Sequence, residues 1–426
     1  GVGVVIGEIW TEELVGVVVE GFDSRQVAET ARLTRIVLPA QIFFIFGGLV
    51  QATLLARQRF GALALTPLLY NGGIIIGGGI GALSGSIEGF SWGALCGAFL
   101  GALVVPLVAA RRQLRYRPRL PSFDSEVRAF LWTATPLMIG VSLTTVDEWC
   151  GVYFGSSLRE GSISWLNSAR RLMLVPIGLI GTAAGQATGA YIARLYAEGK
   201  REELGELLGR SVTVVICLGL IASVFMMTAA VPIVGLLFEH GRFGPQDTMR
   251  TAAALVPLSA GIAAWCGHAV LSRALYGVGD TWRPMIATTI VTALSLPIYQ
   301  LLAERGIVGL AIAGTIGMTA QVLTLTVLGC WRLGLRWQQL GAGLLRTFPV
   351  AIVAGLAVTW VDDFTAGALQ EMIPSVSLVH LGRLLIGGVA WAMVVLVLGR
   401  VAQVPGLAAL VDRLMSRLRG RSERAR

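Results

Sequence analysis

Two carboxylates and two guanidiniums stand inside apolar sequence. Asp147 and Glu148 occur in SLTTVDEWCGVYF, and Arg170 and Arg171 in SWLNSARRLMLVPIG. Ionisable groups at membrane depth are expensive and mark function. Arginine keeps its proton there, whereas a carboxylate can take one up. Positions 147 and 171, like 148 and 170, are symmetric about residue 159, the middle of the connection between the two segments. Antiparallel neighbours would therefore carry the acids and the arginines at similar depth. The arginines lie about ten residues into their segment, roughly 15 Å at 1.5 Å per residue. Successive helical residues point about 100° apart. One arginine can then pair with a carboxylate while the other faces a wet cavity and grips phosphate bidentately. This pattern predicts an anion-binding floor of Arg171 and Arg170, with Asp147 and Glu148 as charge partners or a cation-coupling switch. The competing expectation is a static salt bridge that pins two helices.

Secondary candidates are fewer. Asn71, four residues after Pro67, would either satisfy backbone freed by the proline or touch substrate. His268, in WCGHAVLSRAL, could titrate or be a packed core histidine. Asp362 and Asp363 are expected to cap the outer end of a span in solvent. Cys96, Cys150, Cys217, Cys266 and Cys330 are scattered through apolar sequence without metal-ligand spacing, so they read as small core hydrophobes. No metal site is assigned. There is no phosphate-binding glycine loop with a lysine, no GxSxG, no HExxH and no large extramembrane domain, so soluble catalysis is excluded. The protein is expected not to be an enzyme.

The elements that position these residues follow from composition. Of 426 residues 55% are hydrophobic and 14% charged, and the mean hydropathy is +0.73. A soluble domain carries about 25% charged residues, so this is an all-α polytopic membrane protein. Apolar segments run over 2–19 (poor and short), 36–56, 62–84, 90–110, 130–156, 162–192, 212–238, 251–275, 284–303, 306–330, 345–361 and 381–402. Alternating segments of about ten residues, as in a β-barrel, are absent. The formal charge is +9, and Lys200 is the only lysine. The arginines sit in short connections beside apolar runs, which is membrane topology and not a nucleic-acid surface. One set of alternate connections holds 24 of the 34 basic residues and the other holds eight. Positive charge stays inside, so the rich set and the C-terminus are expected in the cytoplasm. The tail DRLMSRLRGRSERAR would lie against anionic lipid.

Two halves of the chain resemble each other at a constant offset. Pro39 matches Pro257 at 218, and Pro67 matches Pro284 at 217. Gly89 matches Gly306 and Gly97 matches Gly314, also at 217. The offset contains six spans, so the copies share an orientation, as in parallel repeats. The expected layout is an incomplete N-terminal lobe over 1–126, a C-terminal lobe over 127–335, two extra helices over 336–405 and a basic tail over 406–426. Residue 1 is Gly, and Glu8, Glu12 and Glu13 interrupt the first apolar stretch. Subtracting the offset from the second copy starts the first about 90 residues before Gly1. Two six-helix lobes and two further helices would then make fourteen, of which the first ~2.5 are missing from this chain.

Four stretches resemble the lipid II flippase family (MurJ, also called MviN) of the multidrug/oligosaccharidyl-lipid/polysaccharide exporter superfamily. They are EGFDSRQVAETARLTRIVLPAQIFF at 20–44, ARQRFGALALTPLLYNGGIIIGG at 56–78, GSISWLNSARRLMLVPIGLIGTAAGQATGAYIARLYAEG at 161–199, and LLFEHGRFGPQDTMRTAAALVPLSAG at 236–261. The resemblance implies two lobes around a V-shaped cationic cavity in the bacterial cytoplasmic (inner) membrane. The first four spans here would be family helices 3–6, the first of them partial, and 127–335 would be helices 7–12. It implies transport of undecaprenyl-diphosphate-linked disaccharide-pentapeptide, lipid II, to the periplasmic leaflet by alternating access during peptidoglycan biosynthesis, which underlies cell-wall growth and cell shape. Membrane potential, Na+ or H+ would drive it.

A family arginine on the eighth helix falls on Arg171. The preceding position, often acidic in relatives, is Arg170 here. A sodium-ligating carboxylate of some relatives falls on Gly151, one turn from Glu148. The resemblance gives the last two helices a lipid-tail groove. Expected partners are lipid II, membrane lipids and cell-wall synthesis proteins, around a monomer. No cofactor is expected beyond a coupling cation and an anion in the cavity. Alternatives are a flippase for another polyprenyl-linked oligosaccharide, a drug/cation antiporter of the same superfamily, and a non-transporting scaffold.

Overall fold

The computed structural model describes residues 2–56, 60–111, 125–372 and 375–407, and every element among them is helical. The arginines at 57, 59 and 112–119 and the basic tail from 408 lie outside the described residues. The chain forms two compact units, Gly1–Phe123 and Asp124–Arg426.

The first unit contains α1 (Val2–Ile9), α2 (Thr11–Val18), α3 (Ser24–Val37), α4 (Ala40–Ala56), α5 (Phe60–Ser84) and α6 (Glu88–Ala98). A wide turn at Phe99–Val104 then leads into α7 (Val105–Ala110). The segment expected over 2–19 is broken into two eight-residue helices. α3 starts at Ser24, twelve residues before the apolar segment expected from 36, because its N-terminus is capped. The Asp23 carboxylate accepts from the Gln26 amide at 2.7 Å, and the Gln26 side chain accepts from the Asp23 amide at 3.1 Å, a reciprocal cap that satisfies two orphan donors.

α5 and α6 are held by glycine. Gly73, Gly77 and Gly81 face Gly89, Gly93 and Gly97, and a Cβ on Gly77 would sit 2.6 Å from the Gly93 Cα. In lipid the hydrophobic effect does not drive helix against helix, so close backbone approach supplies the attraction.

The second unit contains α8 (Ser125–Ser156), α9 (Ser162–Pro176), a wide turn at Ile177–Thr182 and α10 (Ala183–Ala197). Next come α11 (Arg201–Thr228), α12 (Ala230–Phe238), α13 (Pro245–Ala260) and α14 (Ile262–Gly277). α15 (Trp282–Ala303), α16 (Gly306–Leu333), α17 (Trp337–Met372) and α18 (Val376–Val401) complete it. Its core includes Leu204, Leu208, Leu255, Leu271, Leu275, Leu310 and Leu325, all fully covered. α17 and α18 belong to the same unit. Val350, Ala351 and Ala354 of α17 and Val395 of α18 pack with Cys217 and Ile221 of α11 in a second cluster.

Among the described residues nine helices, or helices joined end to end, are long and apolar enough to cross a membrane. α13 and α14, bent by 46° at Gly261, form a further candidate. Several helices outrun their apolar stretches. α11 begins eleven residues before the expected 212, and α17 continues to Met372, past the expected 361. Helix propagation costs little once a span is nucleated, so polar ends stay helical. The helix order α3–α4, α5, α6 recurs as α13–α14, α15, α16 near the expected offset.

Candidate functional site

The connection between α8 and α9 is tight because Gly161 adopts φ +89 as the residue before α9, a backbone shape that glycine takes without strain. This hairpin sets α8 and α9 antiparallel and brings Asp147 against Arg170. The Arg170 Nη1 donates to the Asp147 Oδ2 at 2.6 Å, and its Nη2 donates to the Asp147 backbone carbonyl at 3.1 Å. Arg170 is 8% exposed. Gly151, one turn beyond Asp147, makes the room, since a Cβ there would lie 3.0 Å from the Arg170 Nη2.

The neighbours behave differently. Arg171 and Glu148 are exposed, and neither forms an ion pair among the described residues. Consecutive positions diverge by about 100°, so α9 buries one guanidinium and presents the next. The expectation that both arginines face an anion therefore meets an asymmetry: Arg170 is committed to Asp147, and Arg171 is open.

Asp147 also borders a small polar niche. A cavity of about 30 Å³ is lined by Asp147, Trp265, Thr292, Ser295, Tyr299 and Gln321. The Gln321 Nε2 donates to the Thr292 hydroxyl at 3.0 Å. The Asp147 Oδ1 and the Gln321 Oε1 are buried without a protein donor among the described residues. Sequence reading missed this niche because its polar residues are dispersed among apolar ones on four helices.

Among the described residues no group of three or more His, Cys, Asp or Glu side chains comes together to hold a metal ion. Gly151 is the position on which the sodium-ligating carboxylate of some relatives falls. That position brings no carboxylate, and the Arg170 guanidinium fills the space next to it.

His268 is half-buried on α14, edge-on to Trp265 with ring centroids 6.4 Å apart. Asn71 belongs to the first unit, where its Nδ2 donates to the Pro67 carbonyl at 2.9 Å. It thus bonds the proline's own carbonyl and not the one, four residues earlier, that the proline leaves without a donor.

One expectation is overturned outright. Asp362 is not a solvated cap. It lies inside α17, and Arg383 of α18 grips it through Nε to Oδ1 at 2.6 Å and Nη2 to Oδ2 at 2.5 Å. Local hydropathy cannot see a partner 21 residues away across a helical hairpin.

These features define a polytopic helical membrane protein that keeps one neutralised ion pair and one open guanidinium on adjacent helical positions. The family model of the lipid II flippase MurJ matches residues 1–378. A probable lipid II flippase MurJ of Bdellovibrio bacteriovorus is 29% identical over 366 residues, 83% of this chain and 68% of that protein. A probable lipid II flippase MurJ of Rhizobium tropici is 27% identical over 322 residues, 72% of this chain and 60% of that protein. A solved structure described as lipid II flippase MurJ, inward closed conformation, shares the fold with a TM-score of 0.73 at 20% identity, over 93% of this chain and 80% of that one. The chain belongs to the MurJ family. It spans 68% and 60% of the lengths of those two curated relatives.

Proposed function

We propose that this chain acts as a lipid II flippase, a transporter and not an enzyme, carrying undecaprenyl-diphosphate-linked disaccharide-pentapeptide from the cytoplasmic to the periplasmic leaflet of the bacterial cytoplasmic membrane. The family match over 1–378 supports the substrate class. The observation that carries the mechanism is the asymmetry of α9. Arg170 is neutralised by Asp147, while Arg171 presents an exposed guanidinium that forms no ion pair among the described residues. Arg171 is the group that holds the diphosphate, because a guanidinium binds phosphate oxygens in a planar fork. Arg170 joins it when Asp147 gains a proton and releases its hold. That makes Asp147 the coupling carboxylate and the proton the coupling cation, with Glu148 as a second acid at the same depth. An inside-negative potential also favours outward movement of the anionic headgroup, by about 2.3 kcal/mol per charge per 100 mV. The sugars and peptide travel in water by alternating access. The polyprenyl chain stays in lipid, along α17 and α18.

The protein works as a monomer with its C-terminus in the cytoplasm. It meets lipid II, membrane lipids and cell-wall synthesis proteins. Asn71 and His268 are not diphosphate ligands in this scheme. The test is complementation of cells depleted of their own lipid II flippase, with a headgroup accessibility assay. Arg171→Ala at normal expression should abolish rescue. Full rescue by that variant would remove Arg171 from the mechanism. Failure of the wild-type gene to rescue, with activity restored on another polyprenyl-linked glycan, would move the substrate and leave the site in place.

A further inference from the structure

At one end of the α15–α16 hairpin two guanidiniums share one carboxylate. Asp280 lies in the turn before α15, and its side chain is 10% exposed. Its Oδ2 accepts from the Arg283 Nη1 at 2.9 Å and from the Arg332 Nε at 3.2 Å. Neither arginine forms another ion pair among the described residues. The cluster therefore keeps one positive charge in excess, and both arginines are exposed. Trp331 stands beside both. Its ring centroid is 5.6 Å from the Arg283 Cζ and 5.7 Å from the Arg332 Cζ.

This cluster is the foot of two apolar stripes. On α16, Trp331 continues the line of Leu323 and Val327 at four-residue spacing. On α15, Arg283 starts a line through Ile286, Ile290 and Leu294. Residues three or four apart share a helix face. All five aliphatic side chains are exposed, and both helices are long and apolar enough to cross a membrane. Exposed apolar faces of such helices meet acyl chains. Trp282, stacked with Trp132, and the exposed Trp337 lie at the same end, and tryptophan collects at the level of lipid head groups. A free phosphate would use the arginines and leave the stripes idle. A phospholipid uses both.

We propose that Arg283 and Arg332 hold the phosphate of an anionic phospholipid, with Trp331 at its glycerol and its acyl chains along the exposed stripes of α15 and α16. A guanidinium matches phosphate oxygens with a planar fork. Asp280 holds the two forks at a fixed separation, so less freedom is lost when the lipid binds. The excess charge selects a head group of net negative charge over a zwitterionic one, whose own cation would meet the arginines. On the orientation expected from the arginine distribution, this end faces the cytoplasmic leaflet, whose surface is negative.

The test uses the full chain in phosphatidylcholine nanodiscs. Traces of phosphatidylglycerol or of phosphatidylcholine are added, each carrying the same photoactivatable diazirine on one acyl chain. Labelled peptides are mapped after illumination and normalised to labelling elsewhere on the chain. Over residues 283–294 and 323–332 the phosphatidylglycerol probe should label about tenfold more than the phosphatidylcholine probe, the scale of one charge-assisted hydrogen bond. The double variant Arg283→Gln with Arg332→Gln should lose that preference, and added inorganic phosphate should leave it intact. A wild-type preference below about twofold, or one that persists in the double variant, would overturn the lipid site. Loss of the preference in inorganic phosphate would also overturn it, by showing a site for a free anion. If the double variant does not fold, the wild-type preference and the phosphate arm decide. The readout does not depend on what the protein transports.

Discussion

The Arg170 guanidinium holds Asp147 twice, through the carboxylate at 2.6 Å and through the backbone carbonyl at 3.1 Å. One side chain thereby fixes both the charge and the main chain of α8 against α9.

Removing one partner of this pair should cost more than removing both. Asp147→Asn leaves a buried guanidinium unbalanced, and breaking a buried pair this way costs about 3–5 kcal/mol. Arg170→Met in the same chain should recover most of that loss, because the double variant buries no charge. Thermal unfolding in detergent of the two single variants and the double variant gives the coupling energy. Additive losses would show that the pair contributes nothing.

Arg171 should behave in the opposite way. Arg171→Lys keeps the charge but loses the planar fork, so transport should fall by about tenfold or more, the loss of one charge-assisted hydrogen bond. The melting temperature should stay within about a degree of wild type, since exposed substitutions fall within about 0.5 kcal/mol. Flipping by reconstituted vesicles, read beside a melting curve, separates the two effects. A lysine variant with wild-type flipping would reduce the role of Arg171 to that of a point charge.

The glycine interface of α5 and α6 gives an internal control. Gly77→Leu drives a side chain onto the Gly93 backbone, whereas Gly79 has no atom within 4 Å of its Cβ position. The first substitution should cost several kcal/mol of helix-pair stability by overpacking. Gly79→Ala should be neutral to within about 0.5 kcal/mol. Expression level and melting temperature of the two variants check this.

The clamp on Asp362 should matter for the α17–α18 hairpin. Arg383→Ala leaves Asp362 partly buried beside Asp363 with no cation. It should make the α17–α18 hairpin more sensitive to protease, at a stability cost of about 3 kcal/mol for a broken buried pair. The double variant Arg383→Met with Asp362→Leu should restore the resistance. Equal protease sensitivity in wild type and Arg383→Ala would argue against the clamp.

Much of this protein was open to inspection in its residues. Hydropathy is a local property, so the apolar runs marked the helices and the membrane. The stretches around Asp23, Pro67, Arg171 and Gly244 carried the family, because they combine caps, prolines and charges at set spacings. Even the similar depth of the 147–148 and 170–171 pairs followed from counting outwards from residue 159.

Tertiary structure decided which of those groups meet. Rotation of a helix by one residue swings a side chain by about 100°, and no local pattern fixes that rotation to better than a face. Packing of α9 against α8 and α13 buried Arg170 and opened Arg171. Packing of α18 on α17 turned Asp362 from an expected cap into a clamped ion. Packing of α18 on α12 brought His380 to Glu239 across 141 residues, where no spacing rule reaches. Partner choice inside a membrane depends on contacts summed over whole helices, and only the assembled fold contains that sum.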